Sequence, residues 1–133
     1  MICDDEEWTP KVFYYAKRIA FLNKNGYIIR KLNDSVTGKQ DTNTKLKKLK
    51  DKAYTSISLM KQFDAFPGVS KKAKKILYVK FFKFFYMSMY IYSHEFAEND
   101  EVKEYLKNII RQISSYRKYL DITCKAQYVL CRL

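Results

Sequence analysis

Glycine and proline are scarce in this chain of 133 residues, which contains three glycines and two prolines. A sandwich or barrel of β-strands needs a turn signal about every 8–12 residues, so this composition argues against a mainly β fold. Apolar residues make up 47% of the chain, which is enough for one hydrophobic core at this length. We therefore expect an all-α fold, a single-domain bundle of about four to five helices that spans residues 1–133.

Residue types that commonly form catalytic and metal sites are also few. His94 is the only histidine, so a zinc site with about four nitrogen and sulfur ligands is not expected. The sequence contains no Gly-rich phosphate loop and no nucleophile elbow. We expect a protein that is not an enzyme, with no catalytic residue, no metal site, no cofactor and no small-molecule substrate.

The N-terminus MICDDEEW is acidic and lacks an apolar segment of the kind that directs secretion. The three cysteines, Cys3, Cys124 and Cys131, are an odd number and do not suggest a disulfide framework. They favour reduced thiols in an intracellular protein of the nucleus or cytoplasm, with Cys124 and Cys131 in the core. A small secreted, cytokine-like helical factor is an alternative, in which Cys3 would be bridged to one of the other two cysteines.

The longest apolar run, residues 76–92, is interrupted only by Lys80, Lys83 and Ser88. It holds 17 residues, whereas a membrane-spanning helix needs about 20 and rarely carries two lysines. We predict that this run does not cross a membrane. A helix that is apolar on nearly every side is typical of the centre of a bundle, so the helix at about 71–96 is predicted to be the central one.

The net charge of +12 is distributed unevenly along the chain. Residues 1–8 form an acidic N-terminal arm with four acids and no base, and residues 84–133 are nearly neutral. Residues 9–83 contain nineteen lysines and arginines against four aspartates. An anionic partner would relieve the repulsion among these charges. Nucleic acid, an anionic membrane or an acidic protein would each serve.

The first helix is predicted from its capping residues. Thr9 and Pro10 suit the N-cap and the first helical position, and apolar residues follow at helical spacing as far as Leu22. Asn25-Gly26 ends this run. The same pair is also a strong hairpin signal, so residues 17–32 are predicted as either helix or hairpin.

A polar segment at 33–44 is predicted to be a loop, because it contains a glycine and has no apolar periodicity. A second helix is expected from about Lys45 to Phe63. Its apolar stripe consists of Leu46, Leu49, Ala53, Ile57, Met60 and Phe63. Its other faces carry Lys45, Lys47, Lys48, Lys50 and Lys52.

The last long helix is predicted to begin at Asn99 or Asp100, both of which are good caps. Its apolar stripe continues to Leu120, after which the helix either continues or restarts at Thr123. The apolar side of this final part is predicted to carry Ala126, Leu130 and Leu133.

The bend between the second and third helices has the sequence FDAFPGVSKKAKKIL. Two phenylalanines lie three residues apart, a Pro-Gly turn follows, and a new helix begins after a serine. This pattern resembles the helix-hairpin-helix motif of DNA-binding proteins over about residues 57–77. Ser70 stands where the family has a second glycine. The matching residues are Phe63, Phe66, Pro67, Gly68, Val69, Ala73 and Ile76.

The resemblance implies that the bend binds nucleic acid, DNA rather than RNA. Backbone N–H groups in the first turn of a helix have no internal acceptor, and with the helix dipole they attract anions. Phosphate contacts of this kind are largely independent of base sequence and strongly salt dependent. The predicted nucleic-acid-binding residues are Lys45, Lys47, Lys48, Lys50, Lys52, Gly68, Ser70, Lys71, Lys72, Lys74 and Lys75.

Other interpretations of these features remain open. Pro-Gly followed by a serine cap is also an ordinary way to join two helices. A high lysine content is also expected of an AT-rich genome without any role in binding. The protein would then be an interaction or assembly module of an intracellular complex, with an acidic or helical partner or with a second copy of itself as a homodimer.

Overall fold

The computed structural model describes residues 4–21, 23, 24 and 41–131, which form five α-helices, one 3-10 segment and no strand. In chain order these are α1 (Asp4–Tyr15), α2 (Thr42–Ala65), α3 (Lys71–Glu95), α4 (Asp100–Ile113), the 3-10 segment (Ser114–Tyr119) and α5 (Ile122–Leu130). The prediction of an all-α bundle is confirmed. α2 and α3 form a long antiparallel helical hairpin, and the other elements pack against it.

α3 is the central helix, because it contacts α2 along its length and also packs against α4, the 3-10 segment and α5. Its opposite face is exposed and carries Ile76, Met87 and Tyr90 beside two lysines. The helix is central as predicted, although its neighbours enclose one side of it rather than all sides. None of the helices in the described ranges is long and apolar enough to cross a membrane. The buried face consists of Tyr78, Phe81, Phe82, Phe85, Ser88, Met89 and Tyr92.

α2 begins three residues before its predicted start, because Asp41 caps it. The carboxylate of Asp41 accepts the N–H of Thr44 at 2.9 Å. The end of the predicted polar loop is therefore the first turn of α2, and residues 33–40 lie outside the described residues. The predicted apolar stripe is confirmed, since its members from Leu49 to Phe63 are buried and Leu46 is half-buried.

α1 begins at Asp4, whereas the sequence predicted a start at Thr9. The described residues of the acidic arm form the first turns of this helix, where the positive end of the helix dipole favours acidic side chains. Pro10 lies inside the helix rather than at its first position.

α1 ends at Tyr15, although its apolar periodicity continues as far as Leu22. Residues 16–21 are neither helix nor strand, and Ile19 is exposed. A short helix depends on packing for its stability, and among the described elements none buries residues 16–21, which are all exposed. The predicted continuation of α1 was wrong there, and residues 25–32 lie outside the described residues.

α4 begins at the predicted cap, since the side chain of Asn99 accepts the N–H of the residue three places later at 3.0 Å. It ends at Ile113 rather than at Leu120. The hydroxyls of Ser114 and Ser115 donate to carbonyls three residues earlier, at 2.6 and 3.0 Å. Such bonds compete with the helical pattern, and the chain continues as the 3-10 segment.

A separate helix, α5, begins one residue before the predicted restart, with Asp121 as its cap. The predicted inward side of α5 was wrong, because Ala126 is exposed, Leu130 is 78% exposed and Leu133 lies outside the described residues. Another set of side chains of α5 enters the core. That set is Cys124, Tyr128 and Cys131.

The two cysteines of this region pack in the core, as predicted. Cys124 and Cys131 are buried and have free thiols. Cys3 lies outside the described residues.

Candidate nucleic-acid interface

The bend between α2 and α3 is shaped by one glycine and one serine. Gly68 has a φ of +77°, a left-handed conformation that glycine adopts without strain. Ser70 caps α3, because its hydroxyl accepts the N–H of Ala73 at 3.2 Å and its carbonyl accepts the N–H of Lys74 at 2.9 Å. Both residues therefore set the direction in which the chain enters α3.

The start of α3 presents open donors and free positive charge. The amides of Lys71 and Lys72 have no acceptor within the described residues, as expected for the first turn of a helix. Lys71, Lys72 and Lys75 are exposed, and none of them forms an ion pair in the part of the chain that the structure describes. Free N–H groups, the positive end of the helix dipole and three ammonium groups thus lie together.

Lys74, although predicted as a site residue, is used by the fold. Its ammonium group binds the carboxylate of Asp64 at 2.9 Å and the carbonyl of Asp64 at 3.1 Å, and its side chain is only 16% exposed. The hydrogen bond from Lys74 lowers the pKa of the Asp64 carboxyl, against the opposing effect of burial. Lys74 therefore joins the end of α2 to the start of α3.

Two further lysines were not predicted as site residues: Lys118 lies near the end of α2, and Lys83 lies on α3 about 18 Å along the helix from Lys71. Lys118, in the 3-10 segment, adds to the positive field that lowers the pKa of Asp64. The pKa of Asp121 is lowered mainly by the backbone amide that it caps, and Lys83 and Lys75 lower it further. No sequence pattern indicates Lys118, because only tertiary packing brings the 3-10 segment to the bend. We call Lys71, Lys72, Lys75, Lys83 and Lys118 the hairpin lysines.

The lysines of α2 lie at the opposite end of the helical hairpin. Along the helix, Lys48 is about 27 Å from Phe66 at the usual rise per residue. The two groups of predicted lysines do not lie on one continuous surface, because the start of α2 lies beside the end of the antiparallel α3. The two predicted groups are separate.

Most of the α2 lysines also have partners within the chain. Lys48 is half-buried and interacts within the chain, whereas Lys47 is exposed and forms no ion pair among the described residues. The other three lysines form ion pairs that link α2 to α1, α3 and α4. Their charge is therefore partly neutralised and less available to a ligand. The pairs are Lys45 with Glu95 at 2.7 Å, Lys50 with Glu101 at 2.9 Å and Lys52 with Glu6 at 3.2 Å.

α1 covers one flank of the bend and leaves the other flank open. The hydroxyl of Tyr14 donates to the carbonyl of Pro67 at 2.8 Å, and the ring of Tyr14 stacks on that of Phe66. Gly68 and Ser70 are exposed, and no neighbouring atom lies within 4 Å of the point that a Cβ on Gly68 would occupy. An anion can therefore approach the first turn of α3 from the open flank.

The described residues contain no group of three or more side chains that could hold a metal ion. His94 is exposed, and its Nδ1 lies 2.9 Å from the carbonyl of Tyr90 in the preceding turn. Burial raises the pKa of the Cys124 and Cys131 thiols to about 11. Both thiols are thus protonated at neutral pH and are poor nucleophiles.

Open N–H donors and unpaired lysines therefore meet at one end of the helical hairpin. Comparison with protein-family models, with curated proteins and with solved structures finds no match. The function proposed below follows from the chemistry of the chain's own residues.

Proposed function

We propose that the protein is a non-enzymatic module that binds nucleic acid through phosphate contacts, largely without sequence specificity. The proposal rests on the start of α3, where exposed Lys71, Lys72 and Lys75 surround two backbone amides that have no acceptor in the described residues. A phosphate group offers oxygens to both amides and negative charge to the lysines. These partners complement each other in geometry and in charge.

A polymer of phosphates suits this surface better than a single phosphate does. Lys118 lies near the bend and Lys83 lies about 18 Å from Lys71 along α3, so positive charge extends from the first turn of α3 along that helix and towards the 3-10 segment. The net charge of +12 would also speed the approach of a polyanion. The resemblance to the helix-hairpin-helix motif favours DNA over RNA as the ligand. The binding would take place in the nucleus or cytoplasm.

The proposed contact groups differ from the full set that the sequence predicted. They are the hairpin lysines together with the backbone at Gly68 and Ser70. Lys74 and the paired lysines of α2 are assigned a role in stability, because an approaching phosphate would have to displace a carboxylate from each of them.

A salt titration tests the proposal. Binding to a fluorescent DNA duplex is followed by anisotropy, and the logarithm of the affinity is plotted against the logarithm of the salt concentration. Each phosphate contact contributes about −0.9 to this slope. The double variant Lys72→Gln/Lys75→Gln is expected to reduce the magnitude of the slope by about two and to weaken binding to all duplexes alike.

The control is Lys103→Gln/Lys107→Gln, which removes the same charge from α4, together with the pair of Lys107 and Glu104 at 3.4 Å. The start of α4 lies beside the start of α2, as the pair between Lys50 and Glu101 shows, and so is distant from the bend. An equal loss of slope in both double variants would overturn the proposal, because it would indicate a response to net charge alone. Failure of the wild-type protein to bind DNA at low salt would do the same.

A second candidate function is that of a protein-interaction module, and the exposed face of α3 favours it. Ile76, Met87 and Tyr90 are each at least half exposed on this face, beside Lys80 and Lys83. Exposed apolar side chains with lysines between them suit an acidic helical partner. A homodimer is one form of this candidate, and sedimentation velocity would detect it. A dimer that Met87→Asp dissociates would support the homodimer, and a monomer at every concentration would exclude it.

A further inference from the structure

A groove of about 610 Å³ lies between α1, the bend and α3. Its floor includes Phe63, which is buried, and its rim includes Phe13, which is 53% exposed. Pro10, Val69 and Leu77 complete most of the apolar lining. This volume falls within the range of about 300–1,000 Å³ that is usual for small-molecule sites.

The walls of the groove are held in place by contacts on either side of it. Tyr14 binds the carbonyl of Pro67 at 2.8 Å and fixes the end of α1 against the bend. Glu6, near the start of α1, pairs with Lys52 of α2 at 3.2 Å. The groove therefore exists before any ligand enters it, and a ligand need not rearrange the backbone.

The charge of the groove favours an anion. Among the described residues that line the groove, Lys80 is the only charged one, and it forms no ion pair with any other described residue. Two acids of α1 lie close by in the chain, but both are already paired. Glu6 pairs with Lys52, and Glu7 pairs with Lys11. The hydroxyls of Thr9 and Ser70 supply the remaining polar groups.

We propose that this groove binds a small amphipathic anion, with an apolar body of the size of a medium-length acyl chain and one carboxylate or similar head group at Lys80. The apolar lining would contact the apolar body of the ligand, and the ammonium group of Lys80 would bind its anionic head group. A nucleic-acid strand does not suit the groove, because its sugars and phosphates would lie against phenylalanine and leucine. The groove adjoins the proposed nucleic-acid interface and shares Gly68 and Ser70 with it, but it takes a different ligand.

A series of head groups on one chain tests this inference. The anionic fluorophore 1-anilinonaphthalene-8-sulfonate is bound first and is then displaced by decanoate, decanol or decylammonium. We expect decanoate to displace the fluorophore best and decylammonium to displace it least. Equal displacement by all three compounds, or no binding of the fluorophore to the folded protein, would overturn the inference.

Two kinds of variant locate the site. Lys80→Gln is expected to weaken decanoate binding roughly three- to fivefold, as for an exposed ion pair, and to leave decanol binding unchanged. Lys103→Gln, on α4, is the matched control and should change neither.

Ala73→Trp should block the groove to every ligand. Thr9→Trp blocks it from α1 and is used if circular dichroism shows that Ala73→Trp is not folded. Wild-type decanoate binding in a folded blocking variant, or in Lys80→Gln, would contradict the proposed site.

The test is independent of the proposed nucleic-acid function. Thr9→Trp leaves the hairpin lysines and the bend unchanged, so its affinity for duplex DNA should stay at the wild-type level. Ala73→Trp is not used for this comparison, because Ala73 lies in the first turn of α3. Loss of decanoate binding with DNA binding intact would support the groove alone.

Discussion

The ring of Tyr14 stacks on the ring of Phe66, with 4.1 Å between the centroids and 13° between the planes. This stack joins α1 to the bend, and the hydroxyl of Tyr14 adds a hydrogen bond to the carbonyl of Pro67. Tyr14 thus holds the end of α1 against the bend and forms one wall of the groove.

Tyr14→Ala is expected to release α1 while the rest of the bundle stays folded. The lost stack and hydrogen bond together contribute about 1–3 kcal/mol. Trp8 lies in α1 and is the only tryptophan, so its fluorescence reports on this helix alone. We expect lower Trp8 anisotropy and faster quenching by acrylamide. Tyr54→Ala, at an exposed tyrosine of α2, is the control, and an equal effect there would contradict the role assigned to Tyr14.

Ser70→Asp separates the capping role of Ser70 from the proposed phosphate site. Aspartate caps a helix as well as serine does, so the free energy of unfolding should change by less than about 0.5 kcal/mol. The new charge would repel a phosphate at the first turn of α3, and we expect DNA affinity to fall about fivefold. Ser70→Asn, which caps without charge, is the matched control and should bind as wild type. Unchanged DNA affinity in Ser70→Asp would place the nucleic acid elsewhere.

The ion pair between Asp64 and Lys74 predicts a dependence of stability on pH. The pKa of Asp64 is lowered in the folded state, mainly by the hydrogen bond from Lys74. Its contribution is therefore complete above the unfolded pKa, about 4, and is lost as the pH falls through the folded pKa. Asp64 is about half exposed, so solvent screening keeps the contribution below about 1 kcal/mol.

Urea unfolding of wild type and Asp64→Asn from pH 3 to 7 measures this contribution. The difference between the two proteins should be constant above about pH 5 and should shrink below about pH 4. Glu98→Gln changes an exposed acid that has no ion pair among the described residues, and it serves as the control. A difference that grows as the pH falls would refute the assigned ion pair.

Cys124 and Cys131 are expected to react slowly with thiol reagents in the folded protein. Burial raises the pKa of both thiols to about 11. At pH 8 the thiolate fraction alone should slow their reaction about 100-fold relative to an exposed cysteine. The measurement is the rate of reaction with a chromogenic disulfide in a Cys3→Ser background, with and without urea. Ser115→Cys supplies the exposed reference thiol, and equal rates for all three cysteines would contradict the observed packing.

Local sequence features predicted the start of α3 and of α4 and most of the core correctly. Ser70 and Asn99 act as caps through bonds to residues three places later, and the stripe of α2 follows the helical repeat. The same reasoning failed at the ends of α1 and α4. α1 ends where the chain becomes exposed at residues 16–21, and α4 ends because Ser114 and Ser115 bond to the backbone. The nucleic-acid function stays a prediction.

The candidate site was predicted only in part. Lys71, Lys72 and Lys75 are exposed at the bend and form no ion pair with any described residue, as their place after a Pro-Gly turn indicates. Lys74, their neighbour in sequence, is paired with Asp64, and Lys118 joins them from the 3-10 segment.

The sequence by itself determined that the chain is helical, that its core is rich in aromatic side chains and that its charge is strongly positive. These properties depend on composition and on bonds between residues a few places apart, which the order of residues specifies directly. Only the tertiary structure decided which lysines remain free, because Lys52 meets Glu6 across 46 positions and Lys50 meets Glu101 across 51. Such pairs form through the packing of whole helices. A local sequence pattern does not show which residues that are far apart in the chain will come into contact.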